Sequence, residues 1–215
     1  MTRTIKIFVL FISLFCSGIL LSDAATLTAQ QQQQIISRIN TAASEIKTMT
    51  CSFTQTKNLS MLNDKMVSHG KMIYSQPDKL RWEYTEPYQY LFIFNGSKIY
   101  IGNKSRKDVI DTNSNKVFKE VARIMMSTVT GKALSSTSEF TITVADERGA
   151  YVVTMLPKKK EIRQMFSRIE LVFDKTGSMI SEINIFEKNG DSTNIKITNI
   201  STNKAVDESN FAIPE

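Results

Sequence analysis

The sequence predicts a mostly β (α+β) fold: a strongly curved antiparallel sheet of ten or eleven strands, with helices lying across its open side. Three observations predict it. Apolar residues recur every three or four positions before residue 50 and alternate after it. Asn-Gly and other glycine-bearing turns separate the alternating runs at short intervals. One later stretch, from Lys116 to about Thr130, returns to helical spacing.

The first helix is expected from Thr28 to about Lys47, where Ile35, Ile36, Ile39, Ala42, Ala43 and Ile46 form one stripe. Thr28 is a plausible N-cap, and the Gln30–Gln34 run reads as solvated first turns. Strands follow. Met72 and Tyr74 oppose Lys71; Leu80, Trp82 and Tyr84 alternate with Arg81 and Glu83; Phe140, Ile142 and Val144 alternate with threonines; Ile169, Leu171 and Phe173 continue the pattern. Tyr90–Phe94 and Tyr151–Leu156 are apolar on both faces, which calls for a second covering layer there. Turns at Asn95-Gly96, Arg148-Gly149, Thr176-Gly177 and Asn189-Gly190 make sequential neighbours antiparallel, so the strand order reads as a meander. In the second helix Val117, Val121, Ile124, Met125 and Val129 share a face, and Gly131 stops it. A sheet of this size curls rather than staying flat.

Arg3 and Lys6, the apolar run Ile7–Leu21 and the small residues around Ala24 and Ala25 read as a cleaved export signal over 1–24. The run falls short of the ~20 residues of a membrane span. Cys16 raises the alternative of a lipidated cysteine, but Phe15 stands where that signal needs a small residue. One domain of roughly 190 residues, 25–215, is then expected, in the periplasm. Its single cysteine, Cys51, cannot form an internal disulfide, so apolar burial must supply stability; a small buried hydrophobe is the expected role. The formal net charge of +6 falls by only one when Arg3, Lys6 and Asp23 are removed, an excess suited to anionic lipid or an acidic patch.

Chemistry is sparse. His69 is the only histidine, with no flanking motif for a triad or a zinc site, and is expected to be solvent-facing or locally hydrogen-bonded. Glu83, Glu86, Asp108 and Asp111 fall on wet faces or turns, and Gly102-Asn103-Lys104 lacks phosphate-loop spacing. Lys158, Lys159 and Lys160 read as a solvated hairpin tip, without the interleaved aromatics of a nucleic-acid platform. What remains is apolar and soft material, 12 Phe, 10 Met and 6 Tyr, which fills a core or lines an adaptable cavity; periodicity does not separate the two.

The run Gly70-Lys71-Met72-Ile73-Tyr74, then Gln76-Pro77-Asp78-Lys79-Leu80-Arg81-Trp82-Glu83-Tyr84, then Pro87, resembles the LolA family of lipoprotein carriers. Phe53-Thr54-Gln55 upstream, the hairpin Asn95-Gly96 to Tyr100, and the tail from Phe166 through Asn199, Asn203 and Phe211 to Pro214 resemble it too. The resemblance implies an incomplete antiparallel β-barrel of about eleven strands, with an N-terminal helix and lid helices covering an apolar cavity. It implies a non-enzymatic periplasmic carrier that takes the acyl chains of lipoproteins from an inner-membrane lipoprotein-releasing transporter to an outer-membrane acceptor or receptor. No cofactor, metal or nucleic acid is implied, and a monomer is expected. Many members carry an arginine before the strand proline, thought to bond the lid; here Gln76 stands there, able to donate a hydrogen bond but not a fixed charge.

The expected acyl-chain wall is Trp82, Tyr84, Phe92, Phe94, Tyr100, Ile142, Val144, Leu171 and Phe173, with Val121, Ile124, Met125 and Gln76 at the lid. A one-residue register shift would swap the faces. Two other classes compete: a sensor or scaffold with the same half-barrel that detects mislocalised envelope lipid or protein, and a hydrolase of envelope lipid or glycan, which the shortage of histidine and the absence of a nucleophile elbow disfavour.

Overall fold

The helical stripe becomes α1 (Ala29–Glu45), with Ile35, Ile39 and Ala43 buried. The structure is a computed structural model describing residues 27–214 except 104, 115, 136, 137 and 148, with backbone alone at 116–118, 120 and 121. The segment read as an export signal lies outside the described residues. Thr28 and Gln31 close a reciprocal capping box: Gln31 N donates to Thr28 Oγ1 at 3.2 Å and Thr28 N to Gln31 Oε1 at 2.8 Å. The glutamine run is not wholly solvated. Gln32 Oε1 accepts from Val144 N at 2.9 Å, supplying an acceptor to an edge strand that would otherwise face water.

Eleven strands follow: β1 (Thr48–Leu59), β2 (Asp64–Ser75), β3 (Lys79–Glu86), β4 (Tyr90–Asn95), β5 (Lys98–Gly102), β6 (Lys107–Asp111), β7 (Phe140–Glu147), β8 (Ala150–Pro157), β9 (Phe166–Phe173), β10 (Ile180–Glu187) and β11 (Ser192–Thr202). Helix α2 (Lys116–Thr130) and a 3₁₀ turn at Lys132–Ser135 separate β6 from β7, and α3 (Lys160–Met165) separates β8 from β9. All eleven strands form one sheet in the order β6-β5-β4-β3-β2-β1-β11-β10-β9-β8-β7. The meander is therefore interrupted. Two runs of hairpins meet where β1 pairs antiparallel with β11, from Met49↔Thr202 to Asn58↔Ser192, and the chain passes from one sheet edge to the other through α2. Turn lengths dictate only sequential pairs, so this central pairing is not legible in them.

Directly paired residues share a face, so the register identifies the concave one. It runs from Phe94 through Trp82, Met72 and Cys51 on one wing to Ile195, Ile183, Leu171, Val153 and Val144 on the other. These residues join α1, α2 and the turn at 132–135 in one buried cluster. Cys51 is 6% exposed, as a small buried hydrophobe should be, and burial pushes its thiol up to about 12.

On the outer face Ile93, Tyr100 and Phe211 form a second cluster. The C-terminal segment crosses β3 and β4 there: Asn95 Nδ2 donates to Phe211 O at 3.0 Å and Arg81 Nη1 to Asn210 O at 3.2 Å. That strap is the covering layer expected over Tyr90–Phe94. On β8, by contrast, Leu156 is left 45% exposed. The lysine run is exposed but does not sit on a tight hairpin; it leads into α3, whose Ile162 is 2% exposed in the core. Six residues are too few for helical periodicity to show.

Candidate functional site

The strands define two ends. At one lie the α1–β1 junction and the Gln76-Pro77 turn; at the other lie the β1–β2, β3–β4 and β10–β11 turns and α3. Near the first end α1 and the 132–135 turn fill the concavity. Toward the second, α2 stands off the sheet and leaves a cavity of about 310 Å³.

Its walls are built by alternation. Trp82 and Tyr84 face it from β3, Gln55 and Lys57 from β1, Thr193 and Ile195 from β11. Ile183 and Ile185 of β10 and Phe166 and Ile169 of β9 continue the wall, and Ile124, Met125, Thr128 and Val129 of α2 form the roof. Gly70 shapes one side. A Cβ there would lie 2.3 Å from Phe53 Cζ and 2.2 Å from the Glu83 carbonyl, so only glycine lets the Phe53 ring lie across β2. Phe53 then stacks on Trp82 at 4.3 Å between centroids and meets Tyr84 edge-on at 5.3 Å.

Polar groups are few. The Tyr84 hydroxyl donates to Gln55 Oε1 at 2.9 Å, and burial pushes its phenol above its ordinary value. Trp82 Nε1 and Thr128 Oγ1 are buried and make no hydrogen bond of ordinary geometry. At the rim Lys57 pairs with Glu187 at 3.3 Å. The roof is latched outside the cavity: Glu139, 8% exposed, receives Arg123 Nη2 of α2 and Lys159 Nζ, each at 2.6 Å. Burial alone would raise the Glu139 carboxyl, but the hydrogen bonds and charges of Lys159 and Arg123 outweigh it and hold it below the ordinary glutamate value. His69 is exposed, its Nδ1 3.1 Å from Thr54 Oγ1.

Of the residues expected to line the wall, Trp82 and Tyr84 do so, and Ile124 and Met125 form part of the roof. Phe94, Val144, Leu171 and Phe173 lie on the same concave face but are packed solid in the core, between 0% and 5% exposed. Phe92 and Ile142 are half-buried against that core without reaching the cavity. Tyr100 is on the other face: it pairs with Ile93, not Phe94, and packs with Phe211. The one-residue offset across the Asn95-Gly96 turn swaps its side. Gln76 is engaged at the end of α1: its Nε2 donates to Ile46 O at 2.5 Å and its N to Lys47 O at 2.8 Å. The side chain of Val121 lies outside the described residues. The lining residues that the sequence does not single out as wall or lid are Gln55, Lys57, Phe166, Ile169, Ile183, Ile185, Thr193, Ile195 and the α2 positions Thr128 and Val129. Most sit in runs whose alternation is visible, but nothing in those runs shows that β9, β10 and β11 adjoin β1.

No helix among the described residues is long and apolar enough to cross a membrane. In Legionella pneumophila (strain Paris) an outer-membrane lipoprotein carrier protein is 27% identical over 161 residues, 74% of each chain. In Pseudomonas fluorescens (strain Pf0-1) a protein of the same name is 22% identical over 186 residues, 86% of this chain and 87% of the relative. Among solved structures, an uncharacterized conserved protein from Thermus thermophilus superposes with a TM-score of 0.54 at 9% identity, covering 85% of this chain and 94% of that one. MucB superposes with a TM-score of 0.50 at 12% identity, over 86% and 64%. At such identities these two establish a shared fold. The model of the family described as outer membrane lipoprotein carrier protein LolA matches residues 44–214, four-fifths of the sequence and nearly every strand described above, so the chain belongs to the LolA family.

Proposed function

We propose that this protein is a periplasmic carrier: it binds the acyl chains of lipoproteins in the cavity beneath α2 and ferries them from an inner-membrane releasing transporter to an outer-membrane acceptor. The observation that carries the reading is the cavity itself, walled mostly by isoleucines, aromatics and the apolar face of α2, with few polar groups among its lining. Its relatives' names point the same way.

At roughly 30 Å³ per methylene-sized group, about 310 Å³ accommodates about ten such groups. Each gains about 0.8 kcal/mol on leaving water, about 8 kcal/mol in all before chain ordering is subtracted. That favours the cavity over free solution, yet leaves a membrane, which buries the whole chain, as the better final site. Larger cargo requires α2 to move outward, and the Glu139 latch opposes that movement.

Native mass spectrometry of protein purified from the cell envelope tests the reading. The expected result is a mass increment equal to a lipid or an acylated protein, lost on adding an apolar competitor. Protein without bound lipid that also fails to take up an apolar fluorescent probe would reject it.

A further inference from the structure

The cavity lies toward one end of the sheet, and the exposed hydrophobic side chains gather at that same end. Among the described residues the exposed large apolar side chains, Val109 apart, belong to the half of the sheet ending at the β1–β2, β3–β4 and β10–β11 turns and α3. The most exposed are Met61, 90%, and Leu62, 71%, adjacent at the tip of the β1–β2 hairpin with Met66 behind them, and Tyr88, 75%, on the β3–β4 turn; Met165 at the end of α3 is 38% exposed. An apolar pair at a turn, where polar residues are the rule, is not explained by packing within the chain.

The tip is braced rather than loose. Ser60 N donates to Asp191 Oδ1 at 2.9 Å and Ser60 Oγ to Asn189 O at 3.3 Å, so the β1–β2 and β10–β11 turns form one rim. Lys188 N donates to Met165 O at 3.1 Å and ties the end of α3 to it. This rim carries exposed Lys65, Lys160, Arg163 and Lys188. Of the nearby acidic groups, Asp191 is engaged by Ser60 and Glu187 by Lys57; Asp64, Glu161 and, at the β3–β4 turn, Glu86 also face solvent.

We infer that this rim docks on an anionic lipid bilayer, with Met61 and Leu62 inserted at the level of the upper acyl chains and the basic side chains against headgroup phosphates. A convex tip of two flexible apolar residues has no concavity to receive a protein side chain, whereas it suits shallow insertion beside cations. Two residues give reversible attachment, which suits a shuttling protein. The cavity-lining residues Lys57, Phe166 and Thr193 lie in the half of the sheet that ends at this rim, so a chain leaving the cavity on that side passes into lipid with a short path through water. The inference goes beyond the carrier reading, and its test is independent of it.

The purified protein is floated with vesicles of phosphatidylethanolamine and phosphatidylglycerol, and separately with phosphatidylcholine alone. The wild type is expected to float with the anionic vesicles and more weakly with phosphatidylcholine. Met61→Asp with Leu62→Asp is expected to reduce flotation about tenfold or more, while Val109→Asp, at the exposed apolar site away from the rim, leaves it unchanged. The milder Met61→Ser with Leu62→Ser guards against misfolding, and apolar-probe affinity measured on every variant reports the cavity separately. A wild type that floats with neither vesicle, including one that binds an envelope protein through this tip instead, overturns the proposal. Equal flotation of wild type and both tip variants overturns it too, whatever the probe affinity.

Discussion

Replacing Ile185 by tryptophan is expected to block the cavity while sparing the fold. Ile185 is half-buried on β10, paired with Thr193 and Ile169, and all three line the cavity. Its side chain packs against the core and also borders the open volume, so a larger ring has room to extend into the cavity instead of forcing the sheet apart. Tryptophan brings about six more heavy atoms than isoleucine, which displaces roughly half of the about ten methylene-sized groups that 310 Å³ accommodates. Five displaced methylenes at about 0.8 kcal/mol give about 4 kcal/mol as an upper bound. The open mouth lets a ligand shift and keep part of its burial, so about 1.5–3 kcal/mol of lost affinity is the expected range, roughly ten- to a hundredfold. The assay is titration of a fluorescent fatty-acid probe, with circular dichroism and thermal melting as folding controls. Leu156→Trp, on the exposed outer face, is the matched control and is expected to bind as wild type does. A correctly folded Ile185→Trp protein whose affinity lies within about twofold of wild type would refute the placement of the ligand beneath α2.

Other outcomes follow from individual contacts. Thr128→Val removes a buried hydroxyl without a partner at nearly constant volume and is expected to stabilise by about 1 kcal/mol, raising the melting temperature by about 2–4 °C; a lower melting temperature would show that the hydroxyl is bonded. Trp82→Asp puts a charge where the side chain is 4% exposed and stacked on Phe53, so unfolding, read by circular dichroism, is expected rather than a clean loss of ligand affinity. Because the folded Glu139 carboxyl sits below its ordinary value, the latch contributes fully above the unfolded glutamate pKa of about 4.3 and is lost as pH falls through the lowered value. Protection of α2 amides against hydrogen exchange, taken relative to the intrinsic rate at each pH, is expected to fall across that acid window in the wild type and to be already low at neutral pH in Glu139→Gln; identical protection in both would contradict the latch. With its thiol pushed up to about 12 by burial, Cys51 is expected to resist a thiol reagent at neutral pH and to react fully in denaturant.

Alternation carries different weight within a strand and across a turn. It puts Trp82 and Tyr84 on the wall, and the register of β3 with β2 and β4 keeps them there. The same pattern carried over a turn puts Tyr100 on the wall too, but the Asn95-Gly96 geometry gives the concave side to Ile99 and Ile101 instead. Alternation within a strand is a local property of the backbone; phase between strands depends on the turn. Leu171, Phe173, Phe94 and Val144 show a second limit. They face inward as expected, but they are packed in one buried cluster with α1, α2 and the 132–135 turn, and no pattern within a strand reports what lies across a gap.

From its residues alone, this chain determines where the period changes from helical to alternating, the threonine cap that starts α1, the glycine-marked turns, and the family to which its motifs are similar. Each of these is settled by neighbours within a few positions along the backbone, or by one steric demand. Only the folded arrangement decides that β1 meets β11, that the C-terminal segment straps the outer face, that Gln76 holds the end of α1, and that empty volume survives beneath α2. Those outcomes depend on side chains far apart in the chain competing for the same space, and the volume left over is a small difference between what the sheet encloses and what the helices fill.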